Sequence, residues 1–566
     1  MVLNGIPVSE GIAIGKIMRY APCEYVGIEG YFEGDSAPHL QAFRMAKKSA
    51  MAELDKIISS FSAEQQEHTE IFSAHKDFLN DEELSDTVTS LIQNKKALPE
   101  FAVEQAIDIF SSALASVNDP LISARVSDLQ DIKKRLIRNL RGEVEDKLSF
   151  LSEPVILVAH ELLPSDTATI DLDHILGIIT ETGSETSHSA ILARSFRIPA
   201  LLGVADAMKT LEEGVVALDA LDGIIIKDPT VEERAKMEKK RLSFIQRRAE
   251  EEAFRNALPL TKDGVKVDIG INIGANDSDD GFALCDFVGL FRTEFLYMSH
   301  DHLPTEEEQY QAYTRVLCQA NGRPVTLRTL DIGGDKTLPY LEVPKEDNPF
   351  LGMRALRLCL AHPELFKPQL RAALRASAMG PLWLMFPMVS SIDDIRRIKT
   401  VVESVKCDLR SEAIPYDEKI KLGIMVEIPS IALVADLAAK EVDFASIGTN
   451  DLCQYTMATD RMSTELHDYY QPLSPAMLRI MQMTISAFKK EGKPISVCGE
   501  LGGDPVATVA FVGMGIRKIS MNTANIARVK AALAKITVKQ SEASLQRALS
   551  CNTEEEVRKE LISQLY

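Results

Sequence analysis

A histidine at the start of a predicted helix is the first residue whose setting suggests chemistry. His188 follows the predicted strand HILGIIT and the loop ETGSETS, and it begins the helical run HSAILARSF. Backbone N–H groups and the positive end of the helix dipole favour a phosphate at such a position. A neutral imidazole has a lone pair that can attack phosphorus, so His188 is a candidate phosphoryl acceptor. The alternative is that Thr186 or Ser187 caps the helix and His188 has no chemical role.

A second set of candidate residues lies at the carboxyl ends of predicted strands in the other half of the chain. Short apolar runs alternate there with amphipathic segments of helical length, and the carboxyl ends of parallel strands meet at one edge. If active sites form at that edge, the residues that close the strands should be the chemical ones. The residues at the eight predicted ends are Asn272, Arg292, Arg328, Met388, Glu427, Asn450 with Asp451, Cys498 and Asn522.

Two carboxylates in this set are candidate metal ligands. Glu427 and Asp451 end consecutive predicted strands, so we expect them to lie side by side. Magnesium is commonly held by one or two carboxylates, with water and substrate phosphate in the remaining positions. The alternative is that each carboxylate caps a helix, because both follow strands at turns into predicted helices.

Four arginines predict an anionic ligand. Arg292 and Arg328 end the second and third predicted strands, and Arg354 and Arg461 lie on following segments. A guanidinium presents a fork of donors that matches phosphate and carboxylate oxygens, so several together indicate a small phosphorylated acid. Each arginine taken alone is more typical of a surface ion pair.

Cys498 adds a proton donor to this set. An ordinary thiol is mostly protonated at neutral pH, so it can protonate a developing carbanion or enolate. The alternative is a buried structural cysteine. A metal, an arginine cluster and a proton donor together fit chemistry on an enol phosphate, in which the phosphoryl group leaves and the enolate carbon is protonated.

The elements that must position these residues form two contrasting halves. Eight strand and helix units over about 300 residues have the number and size of a TIM (β/α)8 barrel. The first half has long amphipathic helices from about residue 34 to 145, then short β-rich runs typical of an α/β unit. A segment rich in Glu, Lys and Arg separates the halves and predicts a solvated linker helix that allows the two halves to move.

Bulk composition excludes several classes of function. The 566 residues carry a formal net charge of −20, so a general attraction to nucleic acid or to an anionic membrane is not expected. The sequence shows neither a run of spanning length nor a secretory signal pattern, and we expect a cytoplasmic protein. The eight cysteines form no C-x-x-C pair, which argues against a zinc site or a disulfide framework.

Several motifs carry a resemblance to a known family. In chain order they are GIPVSEGIAIGK, IFSAHKDFLND, DIKKRLIRNLRG, GSETSHSAILAR, GLFRTEFLYM, TLRTLDIGGDK, NPFLGMRALR, GIMVEIPS, SIGTNDLCQYTMATDR and VCGE. Together they resemble Enzyme I, the phosphoenolpyruvate-protein phosphotransferase family of the bacterial sugar phosphotransferase system. The resemblance runs nearly from end to end.

The resemblance implies a division of the chain. It implies a helical subdomain that binds the carrier protein HPr, inserted in a swivelling α/β phosphohistidine domain, followed by a TIM barrel that binds phosphoenolpyruvate and forms a homodimer. The expected boundaries are 1–20 for the start of the phosphohistidine domain, 21–145 for the helical subdomain, 146–230 for the rest of the α/β domain, 231–258 for the linker helix and 259–566 for the barrel.

The resemblance also implies residue roles. His188 would be the phosphohistidine and Cys498 would protonate enolpyruvate. Mg²⁺ would be the cofactor, and the phosphoryl group would pass from His188 to a histidine of HPr as the first step of sugar transport. The substrate and metal residues would be Arg292, Arg328, Arg354, Asn450 and Arg461 for phosphoenolpyruvate and Glu427 and Asp451 for Mg²⁺.

One departure from the family pattern leaves an alternative open. The family usually has a second glycine after Gly183 and then often a basic residue, whereas this chain has Ser184 and Glu185. The lost glycine restricts the loop, and the added carboxylate can repel a phosphoryl group, so slower transfer is expected. The alternative is a regulatory paralogue that binds phosphoenolpyruvate or HPr with little or no turnover.

Two other classes of enzyme share part of this pattern. Pyruvate phosphate dikinase and phosphoenolpyruvate synthase carry an ATP-grasp domain ahead of similar units, whereas this chain opens with the helical insertion and has no G-x-x-x-x-G-K-[ST] loop. Direct use of ATP is therefore not expected. A barrel aldolase would leave the unit that contains His188 without a role.

Overall fold

The computed structural model divides the chain into two compact units, Met1–Arg247 and Arg248–Tyr566. The structure describes residues 1–21, 30–60, 66–115, 120–142, 148, 151, 153–163, 166, 170–183, 187–274, 279–298, 300, 302–334, 338, 340–341, 346–461 and 463–565. Among the helices of these residues, none has the length and hydropathy required to cross a bilayer.

The first unit contains an eight-stranded sheet. Its strand order is β1-β8-β7-β3-β4-β5-β6-β2, and the neighbours from β3 to β6 are parallel. The central strands are apolar because the sheet separates two hydrophobic clusters, one on each face. The strands are β1 (Val2–Asn4), β2 (Ile6–Ser9), β3 (Ile12–Tyr20), β4 (Val155–Ala159), β5 (Ile175–Thr180), β6 (Ala200–Leu202), β7 (Val215–Asp219) and β8 (Ile224–Lys227).

Among the described residues between β3 and β4 there are five long helices, which confirms the predicted helical insertion. Their apolar faces share one core, in which Leu54, Val88 and Ile92 are fully buried. Since the polar face of each helix meets solvent, the amphipathic pattern found in the sequence is the one that this packing requires. The helices are α1 (Ala37–Ser60), α2 (Gln66–Asn80), α3 (Glu82–Lys95), α4 (Pro99–Ala115) and α5 (Pro120–Arg141).

Among the described residues of this half, three further helices have defined bounds, namely α6 (His188–Ser195), α7 (Ala207–Thr210) and α8 (Val231–Glu252). Helix α8 forms in the charged segment, and only Met237 and Phe244 of its residues are buried. Lys240 of this helix bonds to Asp219 at 2.5 Å and to Asp222 at 2.7 Å. The boundary between the two units falls within α8.

The second unit is a closed barrel of eight parallel strands in the order β10-β11-β12-β13-β14-β15-β16-β9. The predicted TIM-like architecture is confirmed, and each of the eight predicted runs contains one strand. The strands are β9 (Asp268–Ile273), β10 (Phe287–Arg292), β11 (Val325–Arg328), β12 (Leu382–Phe386), β13 (Lys421–Val426), β14 (Phe444–Ile447), β15 (Ile495–Val497) and β16 (Lys518–Met521).

Helices cover the barrel and account for its outer core. They are α9 (Glu294–Met298), α10 (Glu306–Ala320), α11 (Leu356–Ala361), α12 (Pro363–Ala376), α13 (Ile392–Ser411), α14 (Pro429–Leu433), α15 (Ala435–Glu441), α16 (Thr449–Met457), α17 (Pro475–Lys490), α18 (Pro505–Met514), α19 (Ile526–Lys535), α20 (Val538–Ala548) and α21 (Glu554–Ile562). Short 3₁₀ turns lie at Leu172–His174, Asp279–Leu284, Pro349–Leu351, Ser377–Met379, Thr464–Tyr469, Glu500–Gly503 and Thr523–Asn525.

A small apolar cluster separate from the outer core includes residues of four barrel strands, together with the cysteine that follows β15. Leu290, Met385, Met425 and Phe444 pack together with Cys498, and Trp383 packs against them. Side chains of this kind fill a barrel interior, so polar chemistry is confined to the strand ends.

Candidate active site

The carboxyl ends of the barrel strands carry most of the predicted site residues. Arg292 and Arg328 are the last residues of β10 and β11, and Glu427 and Cys498 directly follow β13 and β15. Asn450 and Asp451 differ slightly from the prediction, because they lie in the first turn of α16 rather than at the end of β14. All these elements end at one face of the barrel.

Arg328 is held by two carboxylates. Its Nη2 lies 2.5 Å from Oε1 of Glu294, and its Nη1 lies 2.9 Å from Oδ2 of Asp331. Only 6% of Arg328 is exposed, and its Nε has no hydrogen bond to a described residue. Burial favours a lower pKa for this guanidinium, but the neighbouring carboxylates outweigh burial and raise the pKa. Arg328 is therefore a fixed positive charge.

Arg354 is a second buried cation, and it shares a carboxylate with Arg328. Its Nη2 lies 3.0 Å from Oδ1 of Asp331 and 3.6 Å from Oδ2 of Asp451, while its Nη1 donates to the Tyr455 hydroxyl at 3.2 Å. Burial again opposes the charge, and the carboxylates of Asp331 and Asp451 overcome it and raise the pKa. Neither arginine is a surface ion pair, so that alternative is excluded for both.

Glu427 is almost fully buried beside other acidic groups. Its Oε1 accepts a hydrogen bond from the backbone N–H of Met388 at 2.6 Å. Burial raises the pKa of Glu427 above its usual range, and the negative charges of Asp451 and Asp331 add to this effect. The charge of Arg328 and the Met388 N–H act in the opposite direction.

Helix capping does not explain either predicted metal ligand. Ile428 and Gly448 are the cap residues of the helices that follow Glu427 and β14, and neither has a side-chain capping bond. Asp451 is buried, and its Oδ1 has no hydrogen bond to a described residue. The cation nearest to that oxygen is Nη1 of Arg461 at 3.7 Å. The carboxylates are therefore available for another partner.

The two carboxylates fit a magnesium ion whose remaining coordination positions are filled by substrate and water. Within the described part of the chain there is no group of three or more His, Cys, Asp or Glu side chains able to hold a metal. Magnesium needs only one or two protein carboxylates when phosphate and water fill the remaining positions. A cation between Glu427 and Asp451 would relieve the repulsion that raises the pKa of Glu427.

Cys498 lies close enough to Glu427, Arg328 and Arg292 for their charges to act on its thiol. Its side chain is buried, its Sγ lies 3.7 Å from the carbonyl oxygen of Ile447, and Asn272 donates to the Cys498 carbonyl at 2.8 Å. Burial raises the pKa of the thiol to about 11, although a hydrogen bond with Ser446 acts against the shift. The thiol is therefore protonated at neutral pH, as a proton donor requires.

Selective alkylation tests this thiol. With iodoacetamide at pH 8 we expect the exposed Cys318 and Cys407 to react first, while Cys498 stays unmodified because its thiol is buried and burial raises its pKa. Peptide mass spectrometry after a time course gives the extent of modification at each cysteine. Unfolded protein is the control, in which Cys498 should react as fast as the others. Equal rates in the folded protein would contradict the burial and the raised pKa.

The remaining polar groups differ in how firmly they are held. Arg292 is half-buried and forms neither a hydrogen bond nor an ion pair with a described residue, although its charge acts on the Cys498 thiol. The side-chain oxygen of Asn450 accepts from the Glu500 N–H at 3.1 Å. Asn522 follows β16 as the cap of a 3₁₀ turn and forms no side-chain capping bond. Arg292 thus presents unsatisfied donors at the strand ends.

In the first unit, His188 is the first residue of α6, as predicted. The preceding Ser187 is the cap, and its Oγ accepts from the Ala190 N–H at 3.4 Å. Capping by Ser187 therefore occurs, and it leaves the role of His188 undecided. Gly183 has φ +115°, a conformation that suits glycine. Ser184, Glu185 and Thr186 lie outside the described residues, so the altered loop stays a sequence-based expectation.

The start of that loop is tied to the end of the neighbouring strand. Nδ1 of His160 lies 2.7 Å from Oε2 of Glu181, and Oε1 of Glu181 accepts from the Met208 N–H at 2.8 Å. Thr182 donates through both its N–H and its Oγ1 to the His160 carbonyl at 3.0 Å. These bonds fix the chain before the segment that leads to His188.

Sequence reasoning missed three residues of the barrel site. Glu294 and Asp331 are the carboxylates that hold the arginines, and Tyr455 contacts Arg354. Glu294 stands two residues after Arg292 and Asp331 three after Arg328, inside motifs that had already been singled out. Their proximity to predicted arginines was the available signal.

Three family models of PEP-utilising enzymes match the chain. The N-terminal model matches residues 4–125, the mobile-domain model residues 151–223 and the PEP-binding-domain model residues 248–538. The third match alone covers about half of the chain, and it contains all the arginines, carboxylates and the thiol of the barrel site.

Curated relatives match almost the whole length. The phosphoenolpyruvate-protein phosphotransferase of Bacillus subtilis is 41% identical over 559 residues, covering 98% of this chain and 98% of its own. The protein of the same name from Listeria monocytogenes is 39% identical over 566 residues with the same coverage of both chains. A solution NMR structure of an Enzyme I protein is 34% identical, and the match covers 43% of this chain and 99% of that one, with a TM-score of 0.37.

Proposed function

Because the chain belongs to the family of phosphoenolpyruvate-protein phosphotransferases, we propose that it transfers the phosphoryl group of phosphoenolpyruvate to its own His188 and then to a histidine of the carrier protein HPr. Pyruvate is the other product. The observation that supports this most directly is the cluster of Arg328, Arg354, Glu427 and Asp451 around Asp331, where two buried cations and a carboxylate pair suit a phosphorylated acid and its metal.

The arginines bind and orient the substrate. Arg292 has open donors, whereas Arg328 and Arg354 are held in place by carboxylates, so they bind an anion without first having to be ordered. Arg461 and Asn450 complete the contacts to the phosphate. Several cations around one substrate also stabilise the charge that shifts between the phosphoryl group and the enolate.

The proposed phosphoryl transfer accounts for every bond that breaks and every proton that moves. The bond between phosphorus and the enol oxygen breaks as a ring nitrogen of His188 forms a bond to phosphorus. The enolate takes a proton at its methylene carbon from the Cys498 thiol, which gives pyruvate, and the thiolate recovers a proton from water. The high pKa of Cys498 suits a donor that must stay protonated between turnovers.

Glu427 and Asp451 are the residues that would hold Mg²⁺. When bound there, the ion would neutralise negative charge on the phosphate and on the enolate oxygen. Met388 fixes one oxygen of Glu427 through its backbone N–H, which leaves the other oxygen for the ion.

The remaining assignments are the domain boundaries and the assembly. Residues 1–20 and 146–230 form the phosphohistidine domain, residues 21–145 the HPr-binding subdomain, residues 231–258 the linker and residues 259–566 the barrel, which forms a homodimer. The charged helix α8 has few buried residues, which supports a linker that lets His188 visit its two reaction partners in turn. We place the protein in the cytoplasm, where HPr and phosphoenolpyruvate are available.

Intact-mass measurement tests the relay. Protein mixed with phosphoenolpyruvate and Mg²⁺ should gain one acid-labile phosphate, and addition of HPr should discharge it and phosphorylate HPr. The control omits Mg²⁺, and phosphorylation should then be lost. Folded protein that binds phosphoenolpyruvate but never gains phosphate would overturn the proposal and favour the regulatory alternative.

A further inference from the structure

A cavity of about 300 Å³ lies in the barrel unit beside the site, between helix α11 and the start of α13. Met353, Leu356, Met388, Ser390 and Asp394 are among the residues that line it. None of the residues that we assign to phosphoenolpyruvate, Mg²⁺ or proton transfer lines this cavity. It is therefore a separate space, large enough for a few non-hydrogen atoms.

Two arginines with open donors lie at this cavity. Nη1 of Arg357 donates to the carbonyl oxygens of Leu351 at 2.7 Å and Gly352 at 3.0 Å, which anchors the side chain. The Nε and Nη2 edge of Arg357 forms no hydrogen bond with a described residue. Arg397 is exposed and forms neither a hydrogen bond nor an ion pair with a described residue. An anchored guanidinium with a free edge suits a carboxylate.

The acidic group at the cavity does not cancel this charge. Oδ2 of Asp394 accepts hydrogen bonds from Ser390 N–H at 3.0 Å, Ser390 Oγ at 2.8 Å and Ser391 N–H at 3.0 Å. These hydrogen bonds compensate the negative charge of Asp394 at the start of α13. The cavity is therefore lined by two positive charges and by one carboxylate whose charge is already compensated. This balance favours the binding of an anion.

The rest of the lining is apolar. Its apolar side chains include those of Met353, Leu356, Leu360 and Met388. Thioethers and leucines favour a hydrocarbon group and adapt to its shape. A ligand that matches both parts has one carboxylate and a short aliphatic chain.

The cavity contacts one residue, Met388, that supports the active site. Met388 lines it, and the N–H of the same residue holds Glu427 at 2.6 Å. The Met388 sulfur also lies 3.8 Å from the Tyr455 hydroxyl, which bonds to Arg354. Met388 has φ +55°, an uncommon conformation that its surroundings must maintain. A ligand against this residue acts on the groups that position Glu427 and Arg354.

We propose that this cavity is a second ligand site that binds a small aliphatic monocarboxylate through Arg357 and Arg397, and that its occupation changes the affinity of the neighbouring site for phosphoenolpyruvate. Binding itself is independent of the function proposed above. The effect on phosphoenolpyruvate rests on that function and is measured separately.

Calorimetric titration of the full chain with 4-methylpentanoate, without phosphoenolpyruvate or Mg²⁺, tests the binding. We expect saturable binding to the unmodified protein and at least about fivefold weaker binding after Arg357→Gln or Arg397→Gln, because each change removes charge-assisted hydrogen bonds. The neutral 4-methylpentanamide should not bind measurably. Arg396→Gln is the matched control, since Arg396 contacts Glu441 and Asp393 and does not line the cavity; its affinity should be unchanged.

Four results would overturn the site. The first is the absence of saturable binding, and the second is an unchanged affinity for the probe in the Arg357 and Arg397 variants. The third is displacement of the probe by phosphoenolpyruvate with Mg²⁺. The fourth is that sedimentation shows the two variants losing oligomers while their affinity for the probe is unchanged. The third would place the probe in the substrate site, and the fourth would show that a second copy covers the cavity.

A kinetic measurement tests the coupling. Saturating 4-methylpentanoate should change the KM for phosphoenolpyruvate at least about twofold in the unmodified protein and leave it unchanged in Arg357→Gln. Probe binding with an unchanged KM would refute the coupling. Failure of the phosphoryl relay itself would show as absent turnover without the probe, so the two failures are distinguishable.

Discussion

Replacing His188 by alanine is expected to abolish the phosphoenzyme and to lower the rate of phosphoryl transfer to HPr by at least about 10⁴-fold, because the change removes the only proposed acceptor of the group. Intact mass after mixing with phosphoenolpyruvate and Mg²⁺ measures the phosphoenzyme, and pyruvate release measures turnover. Phosphoenolpyruvate should still bind within about twofold of the unmodified affinity, because the barrel site is unchanged.

His174→Ala is a matched control in the same unit. His174 lies before β5 and bonds to Asp171 at 2.8 Å, so its loss removes a histidine without touching the proposed acceptor. Phosphorylation should continue at nearly the original rate. Full phosphorylation of the His188 variant, or its loss in the His174 variant alone, would refute the assignment of His188.

Replacing Arg328 by glutamine is expected to impair both activity and stability. Glu294 and Asp331 would lose their shared cation at the strand ends, and leaving a buried charge unpaired costs about 3–5 kcal/mol. Loss of a fixed donor to the substrate phosphate should lower kcat/KM by at least about 10³-fold. Thermal unfolding of the barrel transition and phosphoenolpyruvate kinetics measure the two effects.

Two further variants separate charge from geometry. Arg328→Lys keeps a positive charge but cannot form both bonds at once, so it should recover part of the stability and little of the activity. Arg410→Gln removes an exposed arginine that pairs with Glu418 at 2.9 Å, and both activity and the transition temperature should stay unchanged. An active and stable Arg328→Gln protein would contradict the role given to this side chain.

The architecture was largely predictable from the sequence. Each of the eight predicted barrel strands is present, because parallel strands that are covered on both sides must be apolar along their whole length and therefore stand out in the sequence. The long helices of the first half were predictable for a related reason, since each has one apolar face. The eight-stranded order of the first sheet was not predictable, because strands such as β2 and β6 pair across almost the whole unit.

The site was predictable in part. Arg328 and Glu427 follow strands whose ends meet in any barrel, so local position was enough to single them out. Glu294 and Asp331 were missed although each stands within three residues of a predicted arginine, because that spacing does not show that the carboxylate and an arginine are buried together. Asp451 was found, but its placement on α16 rather than at a strand end was not.

By itself, the sequence determined which residue types occur at the ends of which elements: His188 after a capping serine, arginines and carboxylates after apolar strands, and a thiol at the end of β15. The tertiary structure decided which of these groups touch. Arg328 and Arg354 share Asp331, and the N–H of Met388 holds Glu427, which is 39 residues away in the chain. Closure of the barrel creates these contacts and buries the charged groups. Burial and proximity together set the pKa values of these groups, and those values give the site its chemistry.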